Sequence, residues 1–111
     1  MIELLILEFL KEKLDVPVYL ERPNLFDENF VFFEKTGSGR KNYLNNSTFA
    51  FQSYGSTLYE AASLNERVKQ SLFDMETLNE ISKVKLNSDY NFTDTELKQY
   101  RYQAVFDIYH Y

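Results

Sequence analysis

Cysteine and tryptophan are absent from this chain of 111 residues, and it has one histidine, two prolines and three glycines. Without cysteine there are no disulfides, no thiolate metal sites and no thiol nucleophile. The one histidine, His110, is the penultimate residue. Terminal tails are ordinarily mobile, so His110 gives no basis for a Ser-His-Asp arrangement, and with nearby Asp107 it makes only an incomplete metal site. Positive charge is scarce, with 12 Lys and Arg against 17 Asp and Glu and a net charge of -5. Non-specific nucleic-acid binding needs clustered cations to displace counterions, so wholesale DNA binding is not expected. Long apolar runs are missing too. Met1 to Leu14 is interrupted by Glu3, Glu8, Lys11, Glu12 and Lys13, short of the ~20 apolar residues a membrane span needs. Its acidic start and the lack of a small-residue cleavage site depart from a secretory signal. The expectation is a protein of the cytoplasm, with no membrane partner.

What the chain has in abundance is aromatic rings: ten Phe and nine Tyr, 17% of all residues. Aromatic side chains dominate both cores and interfaces, and one small interior leaves some of them to meet partners. The length fits a single domain over residues 1–111. Gly37-Ser38-Gly39-Arg40-Lys41 invites a phosphate-loop reading, but it lacks the four-residue gap and the Gly-Lys-Ser/Thr ending of one. Asp89, Asp94 and Glu96 do not follow the alternating oxygen pattern of a calcium loop. No catalytic residues, metal ligands or cofactor follow from the sequence, and the expectation is a binding or structural module, not an enzyme.

Ile2, Leu5, Ile6, Phe9, Leu10 and Leu14 recur at helical spacing. Leu4 and Leu7 widen the apolar stripe, as in a well-buried helix or, on the sharper reading, one whose extra flank packs on a neighbouring subunit. Pro17 stops the helix and confines Asp15 to Leu20 to a short edge strand. Glu21 to Asn29 reads as a loop and Phe30 to Lys35 as a strand. Thr36 to Asn42, with two of the three glycines, reads as the loop at a hairpin tip, its residues Gly37, Ser38, Gly39, Arg40 and Lys41 offering adjustable contacts to a partner. Asn46 to Tyr54 is the return strand. Thr57-Leu58-Tyr59-Glu60 matches a capping box ahead of a helix with Leu58, Ala61, Leu64, Val68 and Leu72 on one side, continuing towards Glu80. Strands follow from Val84 to about Tyr90 and from Tyr100 to Tyr109. In the last, Tyr100, Tyr102, Ala104, Phe106 and Ile108 alternate with Arg101, Gln103, Val105, Asp107 and Tyr109, as on a sheet with one buried and one wetter face. Its length suggests a strand that runs past its own sheet to a neighbour. The order is α-β-β-β-α-β-β, an α+β fold of four to five mostly antiparallel strands with two helices on one face.

Several stretches together resemble one family. They are Phe9 to Tyr19, Val31 to Gly39, Gln52 to Gly55, Leu58 to Ala62, Leu86 to Asp94 and Lys98 to Asp107. In order and spacing the set is similar to the tail terminator or head-to-tail joining proteins, often labelled minor capsid proteins, of tailed bacteriophages and prophages of Gram-positive bacteria. The resemblance implies a virion tail subunit, assembled in the bacterial host cytoplasm, that closes the tail tube as a homo-oligomeric ring, commonly a hexamer. It stops tail polymerisation and joins the tail to the head. The partners implied are further copies of itself, the major tail tube protein and a head-completion or portal-side protein, with DNA passing through the ring without specific binding. Within that picture Gly37 to Lys41 face the tail tube or the lumen. Leu4, Leu7, Tyr100, Arg101 and Tyr102 are the expected subunit interface. The competing readings are a head-completion adaptor or stopper at the portal and, from a different class, a small ligand-binding domain or enzyme using the tyrosine-rich sheet face.

Overall fold

The computed structural model describes residues 1–23 and 29–111. The elements are α1 (Ile2–Lys13), β1 (Val18–Tyr19), β2 (Phe30–Lys41), β3 (Leu44–Gly55), α2 (Leu58–Asp74), a 3-10 turn (Met75–Thr77), β4 (Ile81–Asn91) and β5 (Tyr100–His110). This is the expected α+β order. Most of the loop anticipated at Glu21 to Asn29 lies outside the described residues.

The five strands form one sheet in the order β1-β2-β3-β5-β4. Only the two-residue β1 runs parallel to its neighbour; the other pairings are antiparallel. After β3 the chain crosses through α2 to β4 at the far edge, and β5 then returns into the slot between β3 and β4. The long last strand is therefore central. It pairs from Tyr100 opposite Gly55 to His110 opposite both Asn45 and Ile81. This corrects the expectation that it runs past its own sheet, because both its edges are used within the chain. It also corrects the reading of His110 as tail: the residue is held in β5.

The period of two decides which face each residue serves. Phe33, Phe49, Phe51, Ala104, Phe106 and Ile108 point to the helices and form the core with Ile6, Leu10 and Leu14 of α1 and Leu64, Val68 and Leu72 of α2. Phenylalanine and tyrosine divide the labour. Phe30, Phe32, Phe33, Phe49, Phe51 and Phe106 are buried, whereas Tyr54 is the one buried tyrosine. The phenolic hydroxyl explains the split, since it has to keep a hydrogen-bond partner when buried.

The helix ends follow from local chemistry. Thr57 caps α2, its hydroxyl accepting from the Glu60 N–H at 3.1 Å. Only half of the capping box forms, because the Glu60 carboxylate takes the Ser56 hydroxyl instead. α2 stops at Asp74, earlier than the helical run towards Glu80 anticipated from sequence, and the 3-10 turn leads into β4 at Ile81, three residues before the expected start. Among the described residues no helix is long and apolar enough to cross a membrane.

Candidate interaction surfaces

The segment Gly37 to Lys41 is not a loop. β2 continues through Lys41, paired with β3 from Gly37 opposite Thr48 to Lys41 opposite Leu44. A bulge at Thr36 shifts the register, and the turn is only Asn42–Tyr43. Glycine misled the reading: neither Gly37 nor Gly39 adopts positive φ, and both lie in extended strand. The turn residues are instead at φ 53° for Asn42 and 68° for Tyr43, the left-handed backbone that a two-residue hairpin turn requires. The outer half of the hairpin is thus an ordered arm. Arg40, Lys41 and Tyr43 are exposed on it, Tyr43 at 87%. Beyond Phe32 the outer edge of β2 has no strand partner among the described residues.

A cleft of about 340 Å³ opens where α1 begins and β5 ends. Met1, Leu4, Leu5 and Tyr111 give it apolar walls, and Glu8, Glu80 and His110 add polar groups. Tyr111 is tied down there by its N–H, which donates to the Glu80 carbonyl at 3.1 Å. His110 Nε2 is 2.9 Å from the Ser47 hydroxyl. Burial, reinforced by the charge of Lys35, holds the His110 pKa below its ordinary value, so the neutral ring is favoured. Asp107 points to the opposite sheet face, so the two residues do not form even a partial metal site. Among the described residues no group of three or more acidic or histidine side chains could hold a metal ion.

The other face of the sheet carries a ladder of polar side chains. Tyr54 donates to Gln52 at 2.8 Å, Gln52 donates to Gln103 at 3.0 Å, and Gln103 donates to the Tyr90 hydroxyl. Arg101 lies at one end. Its Nη1 donates to the Tyr54 oxygen at 3.1 Å and its Nε to the Phe92 carbonyl at 2.6 Å, with the guanidinium 4.5 Å from the Phe92 ring centre. Asp107 accepts from Thr48 at 2.7 Å and Asn87 at 3.1 Å. These contacts cross three strands and fix the ring and amide orientations before any partner arrives.

The anticipated interface residues fall in four places. Leu4 is 46% exposed and lines the cleft. Leu7 is half-buried and packs against the core. Tyr100 and Tyr102 are half-buried on the helix side of the sheet, whereas Arg101 belongs to the polar ladder on the other side. Tyr102 and His110 are eight residues apart along β5, roughly 26 Å at ~3.3 Å per residue. Near Tyr102, the exposed Tyr59 of α2 borders a shallow depression of about 380 Å³ with Ser63 and Glu66. The structure thus separates what the sequence grouped, with a mixed cleft beside His110 and a shallow depression beside Tyr102, towards the other end of β5. Sequence reasoning missed Tyr43, because Gly37 and Gly39, six and four residues before it, drew the turn to themselves. It also missed the cleft, whose walls come from residues more than a hundred positions apart. No family model matches the chain, and no curated protein is similar to it.

Proposed function

We propose that this chain is a structural subunit of a bacteriophage tail, one that caps the tail tube as a ring, ends its polymerisation and joins it to the head. The observation that carries the reading is the hairpin end: Arg40 is level with the last residue of β5, and the turn just past it exposes Tyr43 beside Lys41. Its strand pairing presents these side chains in the same way on every copy, as a contact repeated around a ring requires. A ring repeats one contact between unlike patches, so each subunit needs two different surfaces. The hairpin tip and the cleft beside α1 are two such unlike surfaces. A net charge of -5 suits a passage through which DNA moves without sticking.

The test is made in a phage that encodes the chain. Deleting its gene is expected to give overlong tails; tails of normal length beside unjoined heads assign the protein to the portal side instead. Replacing Arg40 and Lys41 together with Ala is expected to reduce tail completion while the melting temperature stays unchanged. Normal virion yield from that variant removes the arm from the proposed contact.

A further inference from the structure

Tyr43 occupies a place that chemistry makes unusual. The second position of a two-residue turn of this kind favours glycine, because a Cβ at positive φ is strained. Here the position holds an aromatic residue at φ 68°, and its ring is 87% exposed. Strain kept at an exposed site points to a contact made outside the chain. Arg40 and Lys41 precede the turn on alternate faces of β2, and neither forms an ion pair among the described residues.

At the start of α1 lies the complementary surface. Met1, Leu4, Leu5 and Tyr111 form the apolar part of an open, mixed cleft of about 340 Å³, within the size range of sites that enclose small ligands. Glu8 and Glu80 stand at its walls, and neither has an ion-pair partner among the described residues. Glu3, on the same helix, is already held by Lys35 at 3.6 Å. Leu4 and Tyr111 remain 46% and 73% exposed.

We infer that the hairpin tip of one copy docks in the α1 cleft of a second copy, Tyr43 filling the apolar hollow while Arg40 and Lys41 meet Glu8 and Glu80. The occupant is another copy of this chain, because every copy carries both halves and their charges are opposite. Self-assembly as a tail-capping ring is the premise here, and the arm-and-cleft contact is its means. An aromatic anchor in a desolvated hollow rimmed by charges has the make-up of an interface hot spot. The charged rim sets orientation and rate of encounter more than strength, so the contact weakens as salt rises.

Sedimentation velocity on the full chain at rising concentration tests this. The wild-type chain is expected to self-associate. Tyr43→Gly removes the anchor while relieving the turn, so it is expected to weaken association at least about tenfold, a conservative figure for losing a buried aromatic anchor, without lowering the melting temperature. The double variant Glu8→Lys with Glu80→Lys is expected to do the same by repulsion. Mixing the two variants restores one intact contact, the arm of the second with the cleft of the first, and is expected to give a 1:1 complex. Association that survives both variants overturns the arm-and-cleft contact but leaves ring assembly standing through other surfaces. A mixture that stays monomeric, or a wild-type chain that never associates, also overturns the contact. Tail capping itself is judged separately by tail length in the gene deletion.

Discussion

Gly55 closes β3 against the first turn of α2, and its φ is not positive. It is required by space. A Cβ there would lie 2.4 Å from the Ala61 nitrogen and 2.9 Å from the Glu60 carbonyl carbon, both backbone atoms. Gly55→Ala therefore has to shift the helix, and is expected to lower unfolding free energy in urea by about 1–3 kcal/mol, the usual range for overpacking. Gly39, by contrast, has nothing within 4 Å of that position. Gly39→Ala is expected to leave stability equal or raise it by up to about 1 kcal/mol, since the unfolded chain loses freedom. His110 sets a second expectation at this scale. Its pKa is below the ordinary 6.5 in the folded chain, so the unfolded chain binds the extra proton first. Stability is then full above that value and falls as pH drops through it, levelling once the folded ring has also protonated. Urea unfolding across pH 5 to 7.5 checks this: His110→Gln should flatten the slope. The change is small, because the ring is half-exposed and solvent screens it.

Among the elements, α2 is fastened to the sheet by polar side chains as well as by its leucines. Asn65 donates to Asp89 Oδ1 at 2.7 Å, and Lys69 reaches Asp89 Oδ2 and, at 2.8 Å, Glu66. Lys69 is 13% exposed in its side chain, so this group is drier than the exposed Arg67–Asp15 pair, where the guanidinium lowers the Asp15 pKa but water screens the benefit. Asp89→Ala leaves the buried Asn65 amide without an acceptor. It is expected to lower stability by about 1–3 kcal/mol, the cost of an unsatisfied buried group, read by urea unfolding at neutral pH. The Asp89 and Glu66 hydrogen bonds also raise the Lys69 pKa above its ordinary 10.5. That contribution is complete below 10.5 and disappears as pH rises through the folded value, so alkaline unfolding should begin less steeply in the Asp89→Ala variant.

For the whole molecule, the layer of rings between sheet and helices is the main store of stability. Phe51 is fully buried between Phe33, stacked at 5.2 Å, and Phe106, edge-on at 5.9 Å. Phe51→Ala is expected to cost about 3–5 kcal/mol, as large-to-small core changes do, a large part of the total for a domain of this size. Denaturant titration followed by circular dichroism should find the unfolding midpoint strongly lowered. The principal extents, 44 × 25 × 23 Å, show where the remaining length goes. Strands of twelve residues reach roughly 40 Å, more than two helices of this chain can cover, and the uncovered end is the arm.

Much of this was legible from residues alone. The alternation of β5 assigned Ala104, Phe106 and Ile108 to one face and Arg101, Gln103 and Asp107 to the other; the leucine spacing gave both helices; Thr57 marked the start of α2; Pro17 confined β1 to an edge. Each of these is local, because backbone geometry fixes the period and the cap within a few residues. Tertiary structure alone decided that β5 enters the slot between β3 and β4, which makes the most aromatic strand central and denies it to a neighbour. It alone carried β2 through Gly37 to Lys41 as paired strand, since β3 was available as a partner and the turn could close at Asn42–Tyr43. It alone brought residues 1, 8, 80 and 111 to one cleft. Which strands pair, and which distant side chains meet, depends on contacts far apart along the chain, and no local pattern encodes them.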